Sequence, residues 1–303
     1  RGHQLGFRPK PNTYSGWTIE MWERYIRELA LFGTNAIELI PPRSDDASDS
    51  LHFPEPQLDM MRKMSQVCAD YGLDVWVWYP ALDSDYSKPE IVQTALDEWA
   101  VVFRTLPRID AILVPGGDPG HTPPELMFPL LEKQTASLRR FHPHATMWLS
   151  PQGFTPAQLD YYFNFLRDQK PAWFAGTVFA PWVNMDLSEF RRRTPPQYRV
   201  RFYPDITHTR GAQYPVNDWH FAFSITQGRE IVCPRPSDMA LMVRRLVPHT
   251  DGSVAYSEGH HDDVNKILWS ALHWNPDTAP IEILRDYGRI FISERLAEDF
   301  AQG

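Results

Sequence analysis

The stretch 109–141, IDAILVPGGDPGHTPPELMFPLLEKQTASLRRF, contains the pattern that decides the fold. A short apolar run at 109–114 ends in a turn rich in glycine and proline, and a segment of helical periodicity follows from position 123. The run predicts a buried strand and the following segment predicts a helix. One such unit fits several fold classes, so the choice depends on how often the unit recurs.

The same unit recurs along the whole chain without a break in composition. Strand-like runs lie at 2–8, 36–42, 73–80, 109–117, 145–153, 174–182, 198–205 and 252–259. Helix-like segments follow at 17–33, 58–72, 88–106, 123–141, 155–169, 186–193, 218–226 and 262–274. Parallel strands need crossover helices, and eight such units close into a barrel of about 250 residues. We therefore expect an α/β fold, a single (β/α)8 TIM barrel over 1–303 with closing helices at about 262–303.

Composition and charge exclude several function classes. The chain has 303 residues and a net charge of −8, and its Lys and Arg residues are scattered, which disfavours a nucleic-acid-binding surface. The short basic segment at 190–196 is interpreted as a solvated helix end. No run of about 18 uncharged apolar residues is present, so we expect no membrane span. Cys68 and Cys233 are interpreted as buried thiols, although a disulfide between them stays open.

Acidic residues follow several strand-like runs, where TIM barrels place their catalytic groups. We predict Asp118, Glu258 and Asp205 as the catalytic carboxylates, with Asp118 and Glu258 as the principal pair. The alternatives are a turn-capping role for Asp118 and for Asp205. In the PGGDPGH turn, the two glycines before Asp118 are interpreted as room for a ligand to approach.

Aromatic and polar residues at the same strand ends suit a carbohydrate, because sugars stack their C–H faces on rings and pair their hydroxyls with polar groups. For Glu38, a core ion pair with an arginine such as Arg8 is an equal alternative to a substrate contact. Trp76 and Trp78 could instead pack between the barrel and its helices. The predicted substrate-binding residues are Arg8, Glu38, Trp78, His121, Gln152, Trp182, Tyr203, His208 and Tyr256.

Three passages resemble bacterial glycoside hydrolase barrels of the β-hexosaminidase, O-GlcNAcase-like and α-glucuronidase groups: RGHQLGFR (1–8), FGTNAIEL (32–39) and DDVNKILWSALHWNPDTAPIEILRDYGRIFI (262–292). The resemblance implies a catalytic barrel excised from a longer chain, a role in polysaccharide degradation, and a periplasmic or secreted location. It also implies a general-acid position at Asp118. Hexosaminidase-type enzymes carry two acids there, whereas Asp118 stands alone, so the resemblance does not extend to a substrate-assisted mechanism.

The carboxylates predict glycosidic cleavage of a carbohydrate substrate with no cofactor and no resident metal; the oligomeric state stays open. Asp118 and Glu258 follow opposite strands, which favours the wide spacing of inverting enzymes, whereas Asp205 and Glu258 follow neighbouring strands, which favours retention. One alternative is a divalent-metal sugar isomerase or epimerase, with Glu38, Asp205, His208 and Glu258 as ligands. Another is a carbohydrate-binding barrel without catalysis. The PGGDPGH turn lacks the lysine of a phosphate-binding loop, and no dinucleotide fingerprint is present.

Overall fold

The computed structural model describes residues 1–7, 16–47, 49–117, 119–207, 234–257 and 263–303, except the side chains of Asp205 and Thr207. In these ranges the strands are β1 (Gly2–Gln4), β2 (Ala36–Leu39), β3 (Asp74–Trp78), β4 (Ala111–Pro115), β5 (Thr146–Ser150), β6 (Phe174–Phe179), β7 (Arg199–Phe202), β8 (Asp205–Thr207) and β9 (Gly252–Ser257). The helices are α1 (Ile19–Leu31), α2 (Gln57–Asp70), α3 (Pro89–Thr105), α4 (Pro124–Arg139), α5 (Pro156–Gln169), α6 (Leu187–Arg193), α7 (Pro236–Leu246), α8 (Asp263–Trp274), α9 (Pro280–Phe291) and α10 (Ala297–Gln302).

Eight parallel strands close into a barrel, which confirms the predicted (β/α)8 fold. Strands β1 to β7 pair in chain order, and β9 closes the ring by pairing with both β7 and β1. The short β8 lies beyond the end of β7 and pairs with the end of β9, with Asp205 beside Tyr256. All strand carboxyl ends therefore lie on one side of the barrel, which we call the barrel mouth.

Local sequence signals explain where the helices begin and end. Helix α5 begins with a reciprocal capping box, in which Thr155 accepts from the backbone of Gln158 and the Gln158 side chain accepts from the backbone of Thr155. Proline occupies the first turn of α3, where no backbone donor is needed. Helix α1 is followed by Gly33, whose φ of 97° is the left-handed conformation that ends many helices.

Alternation along the strands separates two apolar cores. One set of strand side chains packs outward against the helices, and the other set fills the barrel interior. Trp76 and Trp78 both belong to the interior cluster, together with Trp148 and Tyr203. The alternative that these two tryptophans pack between barrel and helices is therefore wrong, because residues two apart on a strand share one face.

Gly176 is required by the way β5, β6 and β7 approach one another. A Cβ atom at this position would lie 2.3 Å from the Trp148 ring and 2.6 Å from the Arg199 carbonyl oxygen. We expect Gly176→Ala to lower the free energy of unfolding by about 1–3 kcal/mol, since a packed interior cannot absorb the extra methyl group without strain. Urea denaturation measures the loss. Gly16→Ala is the matched control, because its nearest neighbour would lie 4.0 Å away, and an equal loss in both variants would contradict the packing argument.

Three further interpretations of the sequence concern the basic segment at 190–196, the two cysteines and the helix predicted at 218–226. The basic segment at 190–196 includes the end of α6, where Arg191 pairs with Asp251 and Arg193 pairs with Asp160, so the solvated helix end is confirmed. Burial raises the pKa of the Cys68 thiol to about 12. The predicted helix at 218–226 and Cys233 lie outside the described residues, and α7 was not predicted.

Candidate active site

A hydrogen-bonded chain of three side chains crosses the base of the barrel mouth. The Gln4 amide nitrogen donates to the Glu38 carboxylate at 3.0 Å and to the Tyr203 hydroxyl oxygen at 2.7 Å. Gln4 ends β1 and Glu38 lies beside it in register on β2, whereas Tyr203 follows the last residue of β7. Barrel closure therefore joins residues that are 199 positions apart in the sequence.

Glu38 is a fully buried carboxyl group in this chain. Burial raises its pKa to about 7, and the Gln4 hydrogen bond and the positive charge of Arg201 oppose that rise. Its second oxygen, Oε1, has no hydrogen-bond partner among the described residues. A carboxyl group whose pKa is raised to near 7 is common at functional sites, because burying an ionisable group is otherwise unfavourable.

Arg201 places a positive charge inside the barrel below this chain. Its guanidinium lies 3.3 Å from the centroid of the Trp76 ring and 4.1 Å from that of the Trp148 ring, so two indoles sandwich the cation. Burial lowers its pKa to about 9. Arg201 was not among the predicted residues, although its position two residues before Tyr203 places both on the interior face and was a signal for it.

Aromatic rings line the interior side of the mouth. Tyr203 and Tyr256 stack with their ring centroids 5.9 Å apart, and Trp78 belongs to the same interior cluster. These rings present apolar faces beside the polar Gln4–Glu38–Tyr203 chain. Such a combination suits a ligand with one apolar face and several hydroxyl groups.

The loops after β4 and β5 are fastened to each other by their backbones. The amide nitrogens of Gly116 and Gly117 donate to the carbonyl oxygens of Ser150 and Gln152 at 2.8 and 2.7 Å. A Cβ atom on Gly116 would lie 2.6 Å from the Ser150 oxygen, and one on Gly117 would lie 2.8 Å from the Gln152 oxygen. The interpretation of these glycines as room for a ligand is therefore wrong, because protein atoms of the neighbouring loop fill that space.

Two rim residues adopt a backbone conformation that side chains rarely take. His121, after β4, has a φ of 53°, and Trp182, after β6, has a φ of 66°. The Trp182 side chain is 51% exposed, and its carbonyl oxygen accepts from Gly153 in the loop after β5. Strained residues of this kind cluster at functional sites, which agrees with a rim position for both side chains.

The structure gathers part of the predicted residue set. Glu38, Trp78, Tyr203 and Tyr256 lie in the barrel interior at the mouth, while His121, Gln152 and Trp182 lie on the loops that follow β4, β5 and β6. For Asp205 the backbone is described but the side chain is not. The remaining predicted residues, Arg8, Asp118, His208 and Glu258, lie outside the described ranges.

Among the described residues, the positive charge that acts on Glu38 comes from Arg201 and not from the predicted partner. Arg8 lies outside the described residues, and the described cation whose charge reaches Glu38 is Arg201. No described Lys or Arg forms an ion pair within 4.0 Å of the Glu38 carboxylate. The described residues also contain no group of three His, Cys, Asp or Glu side chains that could hold a metal ion.

Comparisons with solved structures place this fold among known barrels. A mutant of the Thermobaculum terrenum O-GlcNAc hydrolase is similar with a TM-score of 0.62 and 15% identity, over 98% of this chain and 64% of that one. The Ignisphaera aggregans GH53 catalytic domain is similar with a TM-score of 0.52 and 12% identity, over 84% of each chain. These two likenesses show a (β/α)8 barrel fold.

A barrel of another class is also similar. A sugar phosphate isomerase/epimerase from Parabacteroides distasonis matches with a TM-score of 0.51 and 11% identity, over 92% of this chain and 98% of that one. No family model and no curated protein matches the sequence. This chain spans just under two thirds of the O-GlcNAc hydrolase chain, and at these identities the likenesses show the fold alone. Among the described helices, none has the length and apolar character needed to cross a bilayer.

Proposed function

We propose that this chain is a glycoside hydrolase that cleaves a glycosidic bond of a carbohydrate at the barrel mouth. The observation that carries the proposal is the buried Glu38 carboxyl, which is joined through Gln4 to Tyr203, a residue of the interior cluster that also contains Trp78 and packs against Tyr256. The similarity of the fold to an O-GlcNAc hydrolase and to a GH53 catalytic domain supports the same class of substrate.

In the proposed reaction, Asp118 and Glu258 form the principal carboxylate pair. One protonated carboxyl donates its proton to the glycosidic oxygen as the bond to the anomeric carbon breaks. The other carboxylate takes a proton from the attacking water, or attacks the anomeric carbon itself. The strands before these residues, β4 and β9, are separated by several strands in the ring, so this pair favours the wide spacing and inversion. Asp205 is the third candidate, and its pairing with Glu258 would favour retention.

The predicted substrate-binding residues then hold the sugar. Trp78, Trp182, Tyr203 and Tyr256 supply rings and hydroxyl groups, and Glu38, His121 and Gln152 supply polar contacts. Arg8 and His208 complete the proposed set. Aromatic stacking fixes the plane of the sugar ring, while hydrogen bonds to its hydroxyl groups fix its rotation in that plane.

A panel of 4-nitrophenyl glycosides tests the proposal directly. The panel includes both anomers of glucose, galactose, mannose, xylose, glucuronic acid and N-acetylglucosamine, and nitrophenolate release is followed by absorbance. We expect turnover of at least one member, unchanged after treatment with a chelator. Proton NMR of the first product then gives the anomer, and inversion supports the Asp118–Glu258 pair.

Two outcomes would point elsewhere. Sugar binding by calorimetry without cleavage of any glycoside would favour a binding barrel. Interconversion of free sugars or sugar phosphates that stops on chelation and returns with Mn²⁺ or Mg²⁺ would favour an isomerase or epimerase, with Glu38, Asp205, His208 and Glu258 as ligands. The similarity to a sugar phosphate isomerase/epimerase makes that assay necessary.

A further inference from the structure

Trp182 differs from the other aromatic residues of the barrel mouth in its exposure. The residue is 51% exposed, whereas Trp78 and Tyr203 are 9% and 8% exposed in the interior cluster. Within the part of the chain that the structure describes, the Trp182 ring takes part in no aromatic contact and its indole nitrogen in no hydrogen bond. The fold therefore leaves this indole available to a ligand.

The loop that carries Trp182 begins beside the candidate site. Ala180, the residue after β6, belongs to the interior cluster together with Tyr203. The Tyr203 backbone nitrogen donates to the Phe179 carbonyl oxygen at 2.9 Å, so the end of β6 lies next to Tyr203. Trp182 follows two residues after Ala180 and is exposed to solvent. A ligand that contacts both the buried Tyr203 and the exposed Trp182 must therefore extend from the barrel interior to the rim.

The backbone of Trp182 is held by its neighbours. Its carbonyl oxygen accepts from the Gly153 amide nitrogen at 3.1 Å, and a Cβ atom on Gly153 would lie 3.1 Å from the Gly117 carbonyl carbon. The Val183 amide nitrogen donates to the Ala180 carbonyl oxygen at 3.3 Å, which closes a tight turn. These contacts maintain a φ of 66° at Trp182, a conformation that a bulky side chain disfavours. The loop thus presents the indole from a fixed backbone, which lowers the entropy lost when a ligand binds.

We propose that Trp182 is the platform of an outer sugar subsite, and that the substrate is an oligosaccharide or polysaccharide. One sugar unit stacks on the exposed indole while the unit that is cleaved lies against the buried rings of the mouth. This inference rests on the proposed glycoside hydrolase function and names its substrate class. The apolar C–H face of a sugar ring covers the indole, and the hydroxyl groups at the edge of that ring stay in water.

The dependence of cleavage on chain length tests the inference. The substrates are the disaccharide, trisaccharide and tetrasaccharide of the sugar that the wild type cleaves in the glycoside panel, and products are separated by anion-exchange chromatography. For the wild type, we expect kcat/KM to rise by about five- to tenfold at the length that first reaches Trp182, the effect of one aromatic stacking contact. The change is expected mainly in KM, because a subsite away from the reacting bond binds the ground state and the transition state alike.

Trp182→Ala is expected to abolish this rise, and Trp182→Phe is expected to keep part of it, because phenylalanine retains a smaller apolar face. The ratio of kcat/KM between the tetrasaccharide and the disaccharide is taken within one protein, so a lower folded fraction cancels from it. A ratio that is the same in the wild type and in Trp182→Ala would overturn the inference. So would a wild-type kcat/KM that does not change with chain length.

Trp274→Ala is the matched control. Trp274 is 69% exposed, ends α8 and lies beside Gly33 at the end of α1, so it is at the opposite end of the barrel from the mouth. The Arg1 guanidinium lies 4.4 Å from the centroid of its ring. This variant is expected to keep the wild-type ratio between the two chain lengths. Loss of the ratio in both tryptophan variants would contradict a subsite at Trp182.

Binding measured without cleavage separates this inference from the proposed function. Calorimetry compares glucose, xylose and N-acetylglucosamine with cellotetraose, xylotetraose and chitotetraose, using the wild type, or Asp118→Asn if the wild type cleaves them. We expect one tetrasaccharide to bind more tightly than its monosaccharide, and Trp182→Ala to remove the difference.

The two proposals fail in different ways. Tighter binding of a tetrasaccharide by a protein that cleaves no glycoside would contradict the hydrolase proposal and support the subsite. Cleavage combined with equal affinities for the monosaccharide and the tetrasaccharide would overturn the subsite and leave the hydrolase proposal standing.

Discussion

Replacing Asp118 with Asn, or Glu258 with Gln, is expected to lower kcat by about 10²–10⁴-fold. Each substitution keeps the size of the side chain and removes the group that donates or accepts a proton during glycosidic cleavage. KM is expected to change much less, since an amide still forms hydrogen bonds with sugar hydroxyl groups. Steady-state kinetics on the glycoside identified in the panel give both constants.

The two variants together distinguish the carboxylate pair from its alternative. If Asp205 replaces Asp118 as the partner of Glu258, then Asp205→Asn shows the large loss and Asp118→Asn shows a small one. Asp97→Asn is the control, since Asp97 is exposed on α3 and accepts from Gln93 at 2.9 Å on the same helix. Near-wild-type turnover in both Asp118→Asn and Glu258→Gln would contradict the proposed mechanism.

Glu38→Gln is expected to stabilise the protein above neutral pH. The pKa of Glu38 is raised from 4.5 to about 7 in the folded state, so folding favours the protonated form. The stability that this group contributes is present below pH 4.5 and is lost as the pH rises through 7. This difference in the pKa of Glu38 corresponds to about 3 kcal/mol in the free energy of unfolding. The Glu38→Gln variant does not lose this stability at high pH, because its amide does not ionise.

The measurement compares the two proteins at each pH, because other groups titrate over the same range. Burial lowers the pKa of His273 to about 4, so the stability it contributes is lost as the pH falls from 6.5. Urea denaturation gives the free energy of unfolding of each protein at pH 4.5 and pH 8. Subtracting the wild-type value from the variant value at each pH removes the contribution of His273. We expect the variant to gain stability only at pH 8, and an equal difference at both values would contradict the burial of an ionisable Glu38.

A gain in stability combined with a loss of activity would also separate the two interpretations of Glu38. If Glu38 belonged to a purely structural ion pair, its removal would destabilise the protein, because the partner's charge would stay buried without compensation. If Glu38 is a functional carboxyl group, it lowers the free energy of unfolding, and its replacement raises the stability while it lowers the activity. The pH dependence therefore bears on the role of the residue as well as on its surroundings.

Much of the fold followed from local signals in the sequence. Apolar strand-like runs, the turns rich in glycine and proline after them, and amphipathic segments each reflect the backbone preferences of a few neighbouring residues. Their regular recurrence required parallel strands and therefore a barrel. Helix α7 (Pro236–Leu246) was missed because no strand-like run was identified before it, so the recurring unit gave no signal for a helix there.

The candidate site could be predicted only as a set of positions. Recurrence placed Glu38, Tyr203 and Tyr256 at strand ends and thus on one side of the barrel. It could not reveal that Gly116 and Gly117 are required by the loop after β5, since the atoms that exclude a Cβ there belong to Ser150 and Gln152. Contacts between two loops depend on the tertiary arrangement of their strands.

The sequence by itself determined the order of elements, the barrel and the face on which polar strand-end residues gather, because each of these depends on short-range periodicity. The tertiary structure alone decided that Gln4 joins Glu38 to Tyr203, and that Arg201 lies between Trp76 and Trp148. Those partners come from strands far apart in the chain. Their contacts, and the raised pKa of Glu38, arise only when barrel closure brings the strands together and excludes water.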